Sequence, residues 1–175
     1  MFAIVQNGVI IMLIPAGSAF TYDGVDYPSN WIQLASQDEL AALGVVDVVY
    51  ASYPNDVYYW VTQNAPVYNA QTNQVDVTYT TTPKDLATCQ TNQVNNINAQ
   101  AYSLLQPTDW LVIRSVESGG VYPVPQAWNT WRATIRTQAS NAVTSITAAT
   151  DVDQVAAVFP VPWAQSPNTP TQQQE

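Results

Sequence analysis

The 175-residue chain contains no histidine, one cysteine, four basic and 13 acidic residues. Without imidazole it lacks the usual neutral-pH general base and the commonest metal ligand, and no Ser–His or Cys–His couple can be assembled. Cys89 stands alone, which excludes an intramolecular disulfide and a thiolate zinc site. Its polar helical surroundings suit a buried small residue better than a nucleophile. Asp23 and Asp26 form one close carboxylate pair, and Asp151 and Asp153 another. The first lies in a turn and the second at a helix start, where aspartates serve turn geometry and the helix dipole. Neither fits a calcium loop, which needs a terminal bidentate Glu and a central Gly. The glycines fall singly or at turns, so no phosphate loop, dinucleotide fingerprint or nucleophile elbow is present. A glycosidase built from two distant carboxylates is the catalytic arrangement left open, and it ranks last. The expectation is a non-catalytic protein with no cofactor and no metal.

The aromatic residues carry more information. Trp31, Trp60, Trp110, Trp128, Trp131 and Trp163, with ten tyrosines, supply either a core or binding hot spots. Core is the expectation for most of them. Trp110, Trp128 and Trp131 differ, because Arg114, Arg132 and Arg136 accompany them and bring three of the four cations into one stretch. Arg132 and Arg136 lie one helical turn apart, spaced to grip a partner's carboxylates or carbonyls bidentately. The competing reading has them neutralise the chain's own acidic surface, and the two stand level. These six residues form the candidate partner-binding set.

The net charge of −9 repels polyanions, so neither nucleic acid nor an anionic membrane is an expected partner. Only 10% of residues are charged, with Asn, Gln, Thr and Ser in their place. That surface suits contacts with other proteins, or reflects a solubility style of the source. The apolar run Val9 to Ile14 is too short to span a bilayer. Gln6, Asn7 and Gly8 interrupt any secretory signal, so residence in a cytoplasm is expected.

The elements that must position these residues follow from periodicity. Phe2 to Gln6 and Val9 to Ile14 read as a hairpin on Asn7-Gly8, and Phe20 to Tyr22 and Val25 to Tyr27 as a second on Asp23-Gly24. Ser36 and Glu39 form a capping box for a short helix, Gln37 to Leu43, closed by Gly44. Strands return at Val45 to Tyr50, Val57 to Thr62 and Val75 to Thr81. At Thr82-Pro83 period two gives way to period 3.6: one long helix runs to about Leu105, with Pro83 in its first turn and glutamines crowding its apolar stripe. That polar stripe suggests a frayed start or a seam completed by a partner. A short helix capped by Thr108 ends at Gly119-Gly120, with Arg114 and Glu117 able to pair on its surface. A second long helix starts at Pro125, and Thr150 caps a last turn. The fold class is therefore α+β: an antiparallel β-rich domain (1–81), a helical domain (82–162) of two long packed helices joined by a short one, and a proline- and glutamine-rich tail (163–175). The stretch beyond Pro160, with Pro162, Pro167, Pro170 and Gln172-Gln173-Gln174, has no evident means of burying itself.

Two stretches resemble known proteins. Thr108-Asp109-Trp110, Arg114, Glu117, Gly119, Val124-Pro125, Trp128, Trp131-Arg132 and Arg136 resemble the helical segment of phage tail fibre assembly proteins and related tail-associated proteins. Phe20, Asp23-Gly24, Tyr27-Pro28, Asn30-Trp31, Ala35-Ser36, Glu39-Leu40 and Leu43-Gly44 are similar to a recurring phage tail-associated stretch. The resemblance implies a non-catalytic partner of the trimeric tail fibre that helps its distal end to fold, with the helical half as the fibre-binding part. It implies residence in the host cytoplasm during assembly, and in some phages in the virion tail. The chain departs from the pattern at Trp131, where Tyr is common, in the longer loop Val121-Tyr122-Pro123, and in its Gln- and Asn-rich helices. Two roles stay open: a transient chaperone, and a permanent subunit of baseplate, collar or fibre attachment that contacts other tail proteins.

Overall fold

The structure is a computed structural model that describes residues 1–167. The chain divides into two compact units at Thr82/Pro83, one β-rich and one helical, giving the α+β class.

In the first unit β1 (Phe2–Gln6) and β2 (Val9–Ile14) form the expected hairpin. Asn7 and Gly8 both take positive φ, 52° and 79°, as a two-residue turn matched to strand twist requires. β3 (Phe20–Tyr22) and β4 (Val25–Tyr27) repeat the device on Asp23 and Gly24. One helical turn, α1 (Trp31–Leu34), follows where no element was expected. In α2 (Gln37–Leu43) the Ser36 hydroxyl accepts from the Glu39 N–H, and the Glu39 carboxylate accepts from the Ser36 N–H at 2.8 Å. Gly44 then stops the helix at φ 72°, and a Cβ there would stand 2.3 Å from the Val5 carbonyl oxygen.

Five further strands complete this unit: β5 (Val45–Tyr50), β6 (Tyr59–Gln63), β7 (Val67–Asn69), β8 (Gln74–Val77) and β9 (Tyr79–Pro83). The main sheet has the order β2-β1-β5-β8-β7. It is not purely antiparallel as expected, because β5 and β8 run parallel with Val48 opposite Val75. The excursion from residue 51 to 73 is long enough to bring the chain back in the same direction. The edge strands β2 and β7 come within 8 Å of each other, so the sheet curls towards a barrel. Ala3, Val46, Val48, Val75 and Val77 fill the inner face, with Val5, Ile10 and Tyr68 against them. The stretch expected as one strand from Val75 to Thr81 is two. Val75 and Val77 enter this core, whereas Tyr79 belongs to β9, which pairs with β6 in a separate ribbon.

The second unit is built on α3 (Leu86–Leu105) and α5 (Gln126–Ala148), which pack against each other as expected. Cys89, Gln93, Ile97 and Ala101, at four-residue steps, meet a stripe of Trp131, Ile135, Ala142 and Ile146. A 3-10 turn (Gln106–Thr108), α4 (Asp109–Glu117) and a loop connect the two, and α6 (Val152–Ala156) follows. Several expected caps shift. Pro83 ends β9, and Asp85 caps α3 by accepting from the Thr88 N–H at 2.8 Å. Pro125 sits one residue ahead of α5 as its N-cap. Asp151, not Thr150, caps α6.

Gln90, in the polar stripe of α3, finds its partners within the unit. Gln90 donates its amide to the carbonyls of Ile146 and Ala149, both at 3.0 Å, and more distantly to Thr147 at 3.3 Å. Those carbonyls sit at the C-terminal end of α5, where the helix has no partner of its own to offer. At Gln90 the polar stripe is thus a side-chain cap between neighbouring helices.

Candidate partner-binding surface

Arg132 lies at the corner where α3, the 3-10 turn and α4 meet α5. Its guanidinium donates to the Leu105 carbonyl at 2.9 Å, to the Thr108 hydroxyl, and to the Asp109 carboxylate at 2.6 Å. Thr108 donates in turn to the Leu105 carbonyl at 2.8 Å and makes no cap of its own. A planar fork on a rigid stem is suited to three acceptors spread along one chain segment. Arg132 is 5% exposed, so its donors serve this corner. The partner contact assigned to it from sequence is replaced by an internal role that also accounts for the Thr108-Asp109 pair.

Trp131 and Trp128 meet edge to face at 5.5 Å. Trp131 is buried with Ala101 and Ile135, and the half-buried Trp128 packs against that cluster. The indole N–H of Trp131 donates to the Ala164 carbonyl at 2.9 Å. Trp163, expected in a tail without a core, packs on the same cluster and donates its indole N–H to Gln100 at 2.8 Å. The segment before Pro167 is therefore docked, because its tryptophan found an apolar slot and its backbone found side-chain partners. Pro170 and Gln172-Gln173-Gln174 lie outside the described residues.

The remaining candidates reach the surface. α4 buries none of its residues. Trp110 (55% exposed), Ile113 (55%) and Val116 (75%) succeed one another at three-residue steps on one side of the helix. Val112 adds to the same apolar side, and Val121 and Tyr122 are exposed in the loop that follows. Arg114 does not pair with Glu117 as expected; its guanidinium lies 4.3 Å above the Tyr122 ring. A cation over an aromatic face is held without an anion. Leu111, Arg114, Tyr122, Pro123 and Pro125 border a cavity of about 220 Å³ there. Arg136 is exposed on α5.

Of the six sequence candidates, Trp110, Arg114 and Arg136 face solvent, Trp128 is half-buried, and Trp131 and Arg132 are internal. Sequence reasoning missed Ile113, Val116 and Tyr122. The signal was available in α4, whose apolar residues repeat at three-residue steps between Pro107 and Gly119.

The stretch Phe20 to Gly44 carries a structural logic. The rings of Phe20 and Tyr27 stack at 4.7 Å, and Trp31 meets Tyr27 edge-on at the same distance. Asp23-Gly24 makes the turn, Ser36 and Glu39 cap α2, and Gly44 admits the Val5 carbonyl. These residues have folding tasks within the unit. The carboxyls held below their ordinary values do similar work: Glu39 through the Ser36 N–H and hydroxyl, Asp76 through the amides of Asn69 and Gln74, and Asp85 through the Thr88 hydroxyl and N–H. Among the described residues no group of three His, Cys, Asp or Glu is placed to hold a metal ion, and no helix is long and apolar enough to cross a membrane. Comparison with protein-family models, with curated proteins and with solved structures finds no match to this chain.

Proposed function

We propose that the chain is a non-catalytic tail fibre assembly or accessory protein of a phage, which binds the distal part of a trimeric fibre through its helical unit. The observation that carries this reading is α4, a helix with no fully buried residue that turns Trp110, Ile113 and Val116 outward. A row of exposed apolar side chains beside a held arginine, with Glu117 on the same side, is a form that a protein-binding hot spot takes. The resemblance of the Thr108 to Arg136 stretch to tail fibre assembly proteins supplies the partner. Covering apolar surface and unpaired strand edges on a slowly trimerising fibre suppresses its aggregation.

The test is co-expression with a trimeric phage tail fibre protein, followed by affinity capture. Trp110→Ala combined with Val116→Asp lowers recovered fibre by about tenfold or more, the loss expected when a hot spot is removed. Undiminished capture by a folded double variant would remove α4 from the interface.

A second reading makes the chain a permanent subunit of baseplate, collar or fibre attachment. The exposed Val9, Ile11 and Leu13 on the edge strand β2 favour it, since they offer another apolar contact on the other unit. Mass spectrometry of purified virions separates the two: a transient chaperone is missing, and a subunit is present at fixed stoichiometry.

A further inference from the structure

We infer that the β-rich unit holds a binding site for a neutral sugar ring, in the gap between its main sheet and the helices α1 and α2. The cavity there measures about 410 Å³, a size typical of small-molecule sites. Phe2 and Asp47, opposite one another on β1 and β5, form its floor. They alternate with Ala3 and Val46 and so lie on the other face of the sheet from that core. Ile32 and Gln33 of α1, Gln37 and Leu40 of α2, and Asn73 in the turn before β8 form the walls. These walls are held before any ligand arrives. Trp31, at the start of α1, meets Tyr27 edge-on at 4.7 Å, and α2 is capped by Ser36 and Glu39 and stopped by Gly44. β5 is paired on both sides, with β1 and with β8. A ligand therefore has mainly side-chain rotamers to order, which limits the cost of binding.

The polar groups decide what fits. Gln33, Gln37 and Asp47 are exposed, and their side chains make no hydrogen bond among the described residues. Asn73 accepts the Tyr68 hydroxyl at 2.9 Å through its oxygen, which leaves its N–H donors unspent. The three amides offer donors as well as acceptors, and the carboxylate accepts only. A cation would satisfy Asp47 and leave the amide donors unanswered. An anion would meet that carboxylate with no Lys or Arg among the described lining residues, in a chain of net charge −9. A wholly apolar ligand would strip water from all four polar side chains and give nothing in return. The set is answered by an uncharged molecule whose neighbouring hydroxyls both donate and accept, and whose C–H face rests on the half-buried Phe2, Ile32 and Leu40. A pyranose ring offers both. The site is independent of the proposed fibre contact, since no residue of the helical unit lines it.

The test is titration of the isotope-labelled full chain with glucose, galactose, mannose and N-acetylglucosamine in turn, followed by NMR of the backbone amides. At least one sugar is expected to shift the amides of Phe2, Gln33, Gln37, Asp47 and Asn73 saturably. Half-saturation falls on the order of mM, the affinity that about a dozen heavy atoms give at ordinary ligand efficiency. Gln37→Ala combined with Asp47→Ala, both at exposed positions, weakens that binding about tenfold or more, the loss of two hydrogen-bonding side chains. If the double variant does not fold, Asp47→Asn, which keeps the shape of the side chain, is expected to weaken binding in the same direction. Absence of saturable shifts at these residues with all four sugars overturns the inference, and so does binding that the variants leave intact. Ethylamine and acetate are titrated alongside, and saturation of the same residues by either one and by no sugar overturns the ligand class.

Discussion

The guanidinium of Arg132 and the carboxylate of Asp109 meet at 2.6 Å, with the arginine buried and the aspartate half in solvent. The contact is more than an ion pair, because the same guanidinium also donates to the last carbonyl of α3 and to the Thr108 hydroxyl. One side chain of α5 thereby sets where α3 stops and α4 starts. The direction in which α4 presents Trp110, Ile113 and Val116 is a consequence of that corner.

Arg132→Ala removes one donor shared by three acceptors at this corner, of which the Leu105 carbonyl keeps the Thr108 hydroxyl and Asp109 keeps solvent. The expected loss is about 2–3 kcal/mol, below the range for a fully buried pair because Asp109 keeps solvent contact. Arg132→Lys recovers only part of it, since a point charge cannot serve three spread acceptors. Urea unfolding followed by circular dichroism measures both, and equal stability of Arg132→Lys and the unaltered chain would refute the fork argument.

Trp110→Ala and Trp131→Ala separate surface from core. The first changes stability by no more than about 0.5 kcal/mol, as for an exposed residue with no special contact. The second loses about 3–5 kcal/mol by opening a cavity in the cluster with Ile135 and Ala101. Thermal unfolding of both variants checks the contrast, and fibre capture is expected to weaken in the Trp110 variant despite its intact fold.

Gly44 and Gly17 share φ 72°, but only Gly44 faces a close neighbour, the Val5 carbonyl oxygen at 2.3 Å from a built Cβ. Gly17→Ala is expected to lose about 1 kcal/mol, the left-handed penalty alone. Gly44→Ala loses that and, in addition, the 2.8 Å bond from the Val5 N–H to the Gly44 carbonyl, about 1 kcal/mol more before any cost of the clash itself. Comparable melting temperatures for the two variants would show that β1 yields at this contact.

Acid titration reports the caps. Glu39, Asp76 and Asp85 are held below their ordinary values by hydrogen bonds to the ionised form. A carboxyl whose folded value is depressed contributes stability that is fully present above its unfolded value and lost as the pH falls through the folded one. At neutral pH all three contributions are in place, and they fade only below the ordinary carboxylate values of 4.5 for Glu39 and 3.8 for Asp76 and Asp85. Ser36→Ala removes the hydroxyl partner of Glu39, so its titration midpoint, followed by NMR, is expected to move up towards 4.5. An unmoved midpoint would assign the depression to the Ser36 N–H alone.

Local chemistry was legible in the residues. Asn7-Gly8 and Asp23-Gly24 tolerate positive φ, so both hairpins could be located directly, although the register of β1 on β2 slips between Ile4 and Val5, which the turn does not announce. Ser36, Glu39 and Gly44 carry the two ends of α2 within nine residues of chain. The change of period near residue 82 marks the passage from β-rich to helical unit. All of these depend on neighbours in sequence, and neighbours in sequence are what a linear reading contains.

What only the tertiary structure decided depends on who meets whom at long separation. No pattern in Val45 to Tyr50 or Gln74 to Val77 announces that these strands pair in parallel, because both orientations bury the same valines. The glutamines of α3 looked like a weak seam until Gln90 met the carbonyls ending α5, and Trp163 looked like part of a tail until Gln100 and Gln138 received it and its neighbours. Arg132 was spaced to face a partner, yet its guanidinium turns inward, because three acceptors within 3 Å hold a charge better than solvent-exposed reach does. Residue type and spacing establish which groups are able to bind; the folded chain decides which of them are already bound.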